Sequence, residues 1–555
     1  MILSCWNIRG LNQPQKQREI VSLIHNFKLD VVGIVETKVR MLNQDRIHSN
    51  MLPHWCFVTN STAVSTGRIW VGWNPNKIKL SVLLNTSQMI HVKIETLDNS
   101  VAFVASFIYG LHTIQDRRPL WRDINHIAEV TGSLPWLSLG DFNTVLHSND
   151  IYGSNLGRDR GAVDFNDCVN ASCLVDLRYT GCLFSWNNRR TDSAAFLVKK
   201  LDRALVNPGW LNRYPTAYAD FLPSGISDHS PIIIHVVNPV RKKGVPFKFF
   251  NYWTSLDQFH TLVHDSWSRP VEGNFQFQLC HKLRSLKVGL KSFSFNLKGK
   301  ERLITDKARE DLLHCQSAID AHPSSNSSLR DLEKHLMTVF LEALRIEEEI
   351  ARQKSRIQWL DAGDRNTAYF HNSIKNRRNR NRIVSLIQPN GTKTTTEEEA
   401  KFETIRYFKM MLGTPSTNPY PGINNLSNII QKRIPNDQFE FLDSIPSNEE
   451  IKNTVFSLHS NKAPGPDGFN AHFFKETWSV TGSLVTQAIR EFFITGEILA
   501  ESNATLIALI PKVPNPSSIG EFRPISCCNT IYKCISKIIA TRLQVLLPDF
   551  VDKAQ

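Results

Sequence analysis

Hydrophobic positions change their spacing near residue 240. Before it, short apolar runs of strand length alternate with helical patterns. Ile2–Asn7 opens as a strand. Ile20, Leu23, Ile24 and Phe27 then share one helical face, and Val31–Val35 is a continuous apolar run that predicts a buried strand. In Met89–Thr96, Ile90, Val92 and Ile94 alternate with His91, Lys93 and Glu95. Val101–Tyr109, Trp136–Leu139 and Ile232–Val237 are further strands, and Arg117–Val130 fits a helix between them. Hairpin-like alternation mixed with helical crossovers predicts mixed sheets with helices outside, as two packed sheets rather than one doubly wound sheet.

The turn chemistry and charge of Asn238-Pro239-Val240-Arg241-Lys242-Lys243-Gly244 mark a boundary. After it the period is helical. Leu283, Leu286, Leu290, Phe293 and Leu297 form one stripe; Leu329, Leu332, Leu336, Val339, Ala343, Ile346 and Ile350 form another. With the turn at 322–328, they predict an antiparallel helical hairpin. Arg352–Arg382 is densely basic, with Trp359, Tyr369 and Phe370 interleaved, a composition suited to phosphates and stacked bases. Arg377, Arg378, Arg380 and Arg382 are its candidate contacts; a solvated basic helix and a nuclear-import signal are the competing readings. Residues 412–445 read as a loop-rich connection. From Asn448 order returns, with a strand at Ala504–Pro511.

The 555 residues suit two to four domains, and 41% hydrophobic against 21% charged residues excludes a disordered or fibrous chain. The net charge of +13 favours a polyanionic partner, and the larger share of it falls after residue 240. Ten cysteines without a C-x-x-C pair predict buried free thiols in a reducing compartment. The first residues lack a secretory pattern, and no apolar run approaches the ~20 residues of a membrane span. The expectation is a soluble intracellular protein with no membrane partner, in the nucleus if its substrate is DNA.

Polar residues gather at strand ends. Asn7 ends the first strand and Glu36 ends V-V-G-I-V. Asp141 and Asn143 lie in G-D-F-N, Asp202 in L-D-R-A, and Asp228 and His229 in S-D-H-S before P-I-I-I. Layered α/β proteins gather ligands at strand ends, where loops converge. Carboxylates with an amide hold Mg²⁺ through oxygen, a separate carboxylate takes a proton from water, and a cationic histidine stabilises a charged phosphoryl oxygen. This is equipment for phosphodiester hydrolysis.

The blocks W-N-I-R-G, V-E-T-K, F-I-Y-G, G-D-F-N, L-D-R-A and S-D-H-S, in that order over residues 1–237, resemble the endonuclease/exonuclease/phosphatase superfamily. The likeness is to the N-terminal endonuclease of plant long interspersed element (non-LTR) retrotransposons. It implies a four-layer α/β sandwich, two mixed β-sheets flanked by helices. It also implies DNA as substrate, with Mg²⁺ or Mn²⁺ as cofactor and the element's RNA as a second partner. By the resemblance, Glu36 is the main metal ligand, with Asn7 beside it and Asp228 as a second acid. Asp141 activates water or protonates the leaving group, Asn143 and Tyr109 hold the scissile phosphate, and His229 stabilises it with Asp202 behind. Ser185, in F-S-W, and Arg9 fall at phosphate- or DNA-contacting positions. Arg9 stands where apurinic endonucleases carry Asp, which weighs against a repair enzyme.

I-Q-W-L-D-A-G-D-R-N-T-A-Y-F-H (357–371), N-K-A-P-G-P-D-G-F (461–469), I-P-K-V (510–513) and F-R-P-I-S (522–526) resemble the segment before the polymerase and the start of reverse transcriptase in the same elements. Lys512 and Arg523 would there meet triphosphate. The chain has no Asp-Asp dipeptide, so a truncated, inactive polymerase is expected, with apolar surface exposed around Ile507–Ile510 and Ile535–Ala540. The expected organisation is an endonuclease domain at 1–237, a mostly helical basic linker with a helical hairpin at 238–385, a connection at 386–445 and a partial reverse-transcriptase fingers region at 446–555. A repair nuclease or phosphatase of the same superfamily, and a decayed element copy that only binds nucleic acid, are the alternatives.

Overall fold

A computed structural model describes residues 1–61, 66–153, 161–192, 195–237, 246–297, 300–321, 327–355, 367–394, 396–413 and 434–550. Two compact units emerge. The first joins Met1–Arg241 with Lys375–Gly413 and Pro511–Phe522; the second joins Lys242–Ile374, Thr414–Ile510 and Arg523–Gln555.

The strands of the first unit are β1 (Ile2–Asn7), β2 (Val31–Arg40), β3 (Cys56–Thr59), β4 (Thr66–Trp73), β5 (Ile78–Asn85), β6 (Met89–Thr96), β7 (Ala102–Tyr109), β8 (Trp136–Asp141), β9 (Ile151–Gly153), β10 (Val175–Asp176), β11 (Tyr179–Gly181), β12 (Trp186–Asn187), β13 (Leu197–Lys199), β14 (Asp202–Val206), β15 (Tyr218–Phe221) and β16 (Ile232–His235). The helices that flank these strands within residues 1–237 include α1 (Pro14–Phe27), α2 (Gln44–Met51), α3 (Ile114–Thr131) and α4 (Gly161–Ala171). One sheet has the order β11-β15-β16-β1-β2-β4-β3 and the other β10-β14-β8-β7-β6-β5; β12-β13-β9 form a small third sheet. Both large sheets mix parallel and antiparallel pairs, since β1 runs parallel to β2 and β7 to β8.

Period-2 alternation makes the layers. Leu3, Cys5, Val31, Val35, Val92, Ile94, Phe107, Leu139 and Ile234 fill the space between the sheets. Trp6, Ile8, Val32 and Ile34 face outward and are covered by Ile20, Leu23 and Ile24 of α1 and Ile47 of α2. On the far side, Leu120, Trp121, Ile124 and Ile127 of α3 and Phe165 of α4 cover Val104, Ile108, Trp136 and Leu205. The result is helix, sheet, sheet, helix, as the pattern of the first 237 residues implies. The polar side of β6 is not solvent-facing at His91. Its Nδ1 sits 2.8 Å from Ser106 Oγ beneath the helices, and burial lowers its pKa to about 4.

Gly140 places the end of β8. It adopts φ +135°, and a Cβ there would lie 2.1 Å from the Ile108 carbonyl oxygen of the paired strand. Gly140→Ala should therefore destabilise the first unit by about 2 kcal/mol or more, read as a lower denaturation midpoint.

Two later segments complete this unit. Asn379 accepts from the Arg178 backbone N–H (3.1 Å) and donates to the Asp176 carbonyl (2.9 Å). Arg178 Nε donates to the Arg382 carbonyl at 3.0 Å and its NH1 to Asn515 Oδ1 at 3.1 Å. Arg382 spends its guanidinium on the carbonyls of Pro215 and Ala217.

The second unit is built on helices, with a two-stranded hairpin, β17 (Thr505–Pro511) and β18 (Phe522–Cys528). Leu283, Leu286, Leu290 and Phe293 share its core with Phe249, Trp253, Phe473 and Val485. The helical hairpin differs from the heptad reading. The neighbour of Ser327–Ser355 is Lys300–Ala321, a helix the two stripes skip; Cys315 Sγ contacts the Leu329 carbonyl at 3.5 Å across that pair. In the hairpin strand, Ile507 and Ile510 are exposed as expected. In the range Ile535–Ala540, Ile539 is exposed as expected, whereas Ile535 and Ile538 are buried because the helix Thr530–Phe550 turns them into the core. The expected boundary at 238–244, most of the turn at 322–328, residues 357–366 of the basic segment and 414–433 of the connection lie outside the described residues. All ten cysteines are free, but only Cys5, Cys168, Cys315 and Cys534 are buried; Cys182, Cys280, Cys527 and Cys528 are half-buried, and Cys56 and Cys173 are exposed. No helix among the described residues is long and apolar enough to cross a membrane.

Candidate active site

Strand register brings the polar ends together. Tyr109 ends β7 opposite Asp141, the last residue of β8, and Asp141 lies opposite Asp202, the first residue of β14. In the other sheet, Asn7 ends β1 opposite Val35, the residue before Glu36. Asp228 and His229 precede β16, and an isolated bridge pairs His229 with Trp186 of β12.

Glu36 is aimed by a bulge. The β2–β4 register shifts between Val35 and Val39, and Glu36 and Lys38 both take left-handed conformations (φ 55° and 53°). The Glu36 carbonyl accepts the Gly10 N–H at 2.8 Å, which ties the bulge to the loop after β1. Arg9 and Asn143 are also left-handed. Four of the eight non-glycine residues with positive φ among the described residues therefore lie in this cluster, the kind of local strain that concentrates at functional sites.

Asn7, Glu36, Asp141, Asp202, Asp228 and His229 are all buried. Asn7 Nδ2 donates to Glu36 Oε2 at 3.0 Å and to Asp141 Oδ2 at 2.8 Å, and lies 3.5 Å from His229 Nε2. Its Oδ1 accepts the Arg9 N–H at 2.9 Å, which fixes the amide orientation and turns the oxygen away from the two carboxylates. His229 Nδ1 meets Asp202 Oδ2 at 2.7 Å, and its Nε2 lies 3.8 Å from Asp141 Oδ2. Ser185 does not reach into this cluster. Its Oγ accepts the backbone N–H groups of Leu201 (3.0 Å) and Asp202 (2.8 Å), which holds the start of β14. Asn143 caps Asp141 with its backbone N–H (2.8 Å) and donates Nδ2 to the Gly110 carbonyl (2.6 Å). The Tyr109 hydroxyl lies 3.5 Å from His112 Nε2, with the Arg68 guanidinium over its ring.

Charge follows from this packing. Burial pushes Asp141 up to about 7, reinforced by Asp202 and opposed by His229. Burial opposes protonation of His229, but Asp202 and Asp141 outweigh it and raise the imidazole to about 10. The group is an imidazolium at neutral pH. Burial, Glu36 and Asp141 raise Tyr109, which keeps it a neutral O–H donor.

Two exposed cations sit on the outer carboxylates. Lys38 Nζ meets Glu36 Oε1 at 2.7 Å, and Arg9 pairs with Asp228. Trp186 Nε1 donates to Asp228 Oδ2 at 3.1 Å, while Asp228 Oδ1 is buried without a hydrogen-bond partner. The sequence patterns did not single out Lys38 or Trp186; the positions of both depend on tertiary pairing. A second ligand set exists on geometry alone: Asp141, Asp202 and His229 each offer an atom within 4.8 Å of the others. Placing an ion among them would break the 2.7 Å His229–Asp202 bond, so this trio is suited to proton and charge handling instead.

The basic candidates are dispersed. Arg378 and Arg380 are exposed, Arg377 has a partner, and Arg382 is engaged by the two backbone carbonyls. Lys512 Nζ donates to the Gly520 carbonyl at 2.8 Å, and Arg523 is exposed on β18.

Residues 5–229 match the Endonuclease/Exonuclease/phosphatase family. Along its whole length the chain is similar to the Transposon TX1 uncharacterized 149 kDa protein of Xenopus laevis, 21% identical over 586 aligned positions, and it spans 42% of that protein. Among solved structures, the endonuclease domain of TRAS1, a telomere-specific non-LTR retrotransposon, aligns with 42% of this chain and 97% of its own (12% identity, TM-score 0.34). An AP endonuclease from Archaeoglobus fulgidus aligns with 43% of this chain and 100% of its own (14% identity, TM-score 0.33).

Proposed function

We propose that the first unit is a divalent-metal-dependent endonuclease that nicks DNA, within a chain derived from a non-LTR retrotransposon. The observation that carries this reading is Asn7. Its amide joins Glu36, from one sheet, to Asp141, from the other, beside the Asp202–His229 pair. The family match over 5–229 and the transposon relative aligned along the whole chain support it.

The donor set suits an oxygen-preferring ion such as Mg²⁺ or Mn²⁺, because Glu36 and Asp228 are carboxylates and Asp228 Oδ1 lacks a partner. These two would hold the ion, with Asn7 orienting Glu36 through its N–H rather than ligating through its oxygen. When bound, such an ion offsets negative charge on the phosphoryl group.

The chain's own groups account for the proton traffic. Asp141, titrating near neutrality, accepts a proton from the attacking water or returns one to the leaving oxygen. The His229 imidazolium donates Nε2–H to a phosphoryl oxygen as charge builds, with Asp202 fixing its ring. Tyr109 adds a neutral donor. A water oxygen bonds to phosphorus as the P–O3′ bond breaks, leaving a 3′-hydroxyl and a 5′-phosphate. That 3′-hydroxyl is suited to prime reverse transcription, the process in which the element would use it.

The test is conversion of supercoiled plasmid to open circles. Mg²⁺ should support it, EDTA should abolish it, and added Mg²⁺ should raise the melting temperature. Nicking that persists in EDTA overturns the reading, and hydrolysis of small phosphomonoesters with plasmid left intact moves it to a phosphatase.

A further inference from the structure

The first unit holds a cavity of about 400 Å³, within the ~300–1,000 Å³ range of small-ligand sites. It is lined by β10, β11, the segments around His147 and Asn166, and the helix Thr367–Asn381. Lys200 lines it with a side chain only 4% exposed. Its ammonium lies over the Tyr179 ring at 3.9 Å and makes a long ion pair, 3.6 Å, with Asp176 Oδ1. Asp176 also binds Arg203 at 2.7 Å, so the buried ammonium keeps donor capacity for an anion in the cavity.

The surrounding charge is unbalanced. Asp150 and Asp176 are the acids on the wall, and both are bound by Arg203. Arg178, also on the wall and buried, donates to neutral oxygens among the described residues, those of Arg382 and Asn515. Arg380 adds an exposed guanidinium at the same cavity, while Asn166, Asn170 and Asn376 contribute amides that both donate and accept.

We infer that this cavity binds a phosphate-bearing nucleotide of a nucleic-acid strand, with Lys200, Arg178 and Arg380 meeting the phosphate and the asparagine amides meeting the base. The choice of nucleic acid over a free anion rests on the endonuclease reading. The cavity would be a holding site separate in its residues from the Glu36–Asp141–His229 cluster.

The test is fluorescence anisotropy of the full chain with labelled single-stranded DNA and RNA of one sequence, in EDTA so that no cleavage intervenes. Arg380→Glu and Lys200→Met should each lower affinity about tenfold, and each should reduce the salt dependence of binding by about one phosphate contact. The DNA and RNA arms report which strand is preferred. Wild-type affinity and salt dependence in both variants would overturn the inference, as would competition by inorganic phosphate with no oligonucleotide binding. If Lys200→Met loses its native circular dichroism, Arg380→Glu decides alone. This outcome is independent of plasmid nicking: a chain that nicks normally but binds unaltered by either change refutes the holding site and leaves the endonuclease reading standing.

Discussion

His229→Ala is expected to slow plasmid nicking about a hundred- to a thousandfold, the usual effect of removing a donor aimed at developing phosphoryl or oxyanion charge. The side chain is buried and held at 2.7 Å by Asp202, so its charge is fixed before substrate arrives. Asp202→Asn separates charge from shape. It keeps the hydrogen-bonding outline but removes the strongest influence favouring the imidazolium, and burial then disfavours protonation. Its activity should fall at neutral pH and recover towards acid, moving the pH optimum down. A stability readout has its own sign. A histidine pKa raised to about 10 contributes stability in full below about 6.5, and that contribution is lost as pH rises through 10. The melting-temperature gap between the parent and His229→Ala should therefore narrow from pH 7 to pH 10.5. A constant gap, or an unchanged nicking rate, would remove His229 from the proposed chemistry.

Arg203→Leu should destabilise the first unit by about 3 kcal/mol, the cost of leaving two part-buried carboxylates without their buried partner. Arg203 is fully buried on β14 and binds Asp150 and, at 2.7 Å, Asp176. Burial works to raise Asp176, but Arg203 and Lys200 outweigh it and hold the carboxyl below its usual value. A depressed carboxylate contributes stability above its unfolded pKa of about 4, and the contribution is lost as pH falls through the folded value. The deficit of Arg203→Leu should thus be largest at pH 7 and shrink below pH 4, as Asp176 takes up a proton. Urea midpoints at the two pH values measure it. An equal deficit at both would mean that Arg203 acts by packing volume alone.

The layers of the first 237 residues could be read from the chain because each strand carries its own period. β6 spans Met89–Thr96 and buries Ile90, Val92 and Ile94 as spaced, with His91 the exception on its polar side, and α1 buries Ile20, Leu23 and Ile24. The candidate cluster could be read in outline because Asn7, Asp141, Asp202, Asp228 and His229 sit at or beside strand ends, where polar side chains need a reason to be buried; Glu36 ends the apolar run as expected but lies inside β2, at its bulge. Their pairings were hidden. Asn7 facing Glu36 and Asp141 with its nitrogen depends on the Arg9 N–H, and Asp228 reaching Trp186 depends on a bridge between distant strands. Lys200 looks like one of two adjacent lysines until β10 and β11 fold over it. The helix Lys300–Ala321 escaped because its buried stripe, Thr305, Ala308, Leu312 and Cys315, holds a single large aliphatic side chain.

The partners of Arg178 lie 201, 204 and 337 positions further along the chain, at Asn379, Arg382 and Asn515. A growing polypeptide has every sheet strand of the sandwich once β16 has left the ribosome, yet the groups that close around this arginine are translated much later. Full assembly of the first unit is thereby coupled to synthesis of the later segments, so an early stop codon would release a sandwich with an open flank.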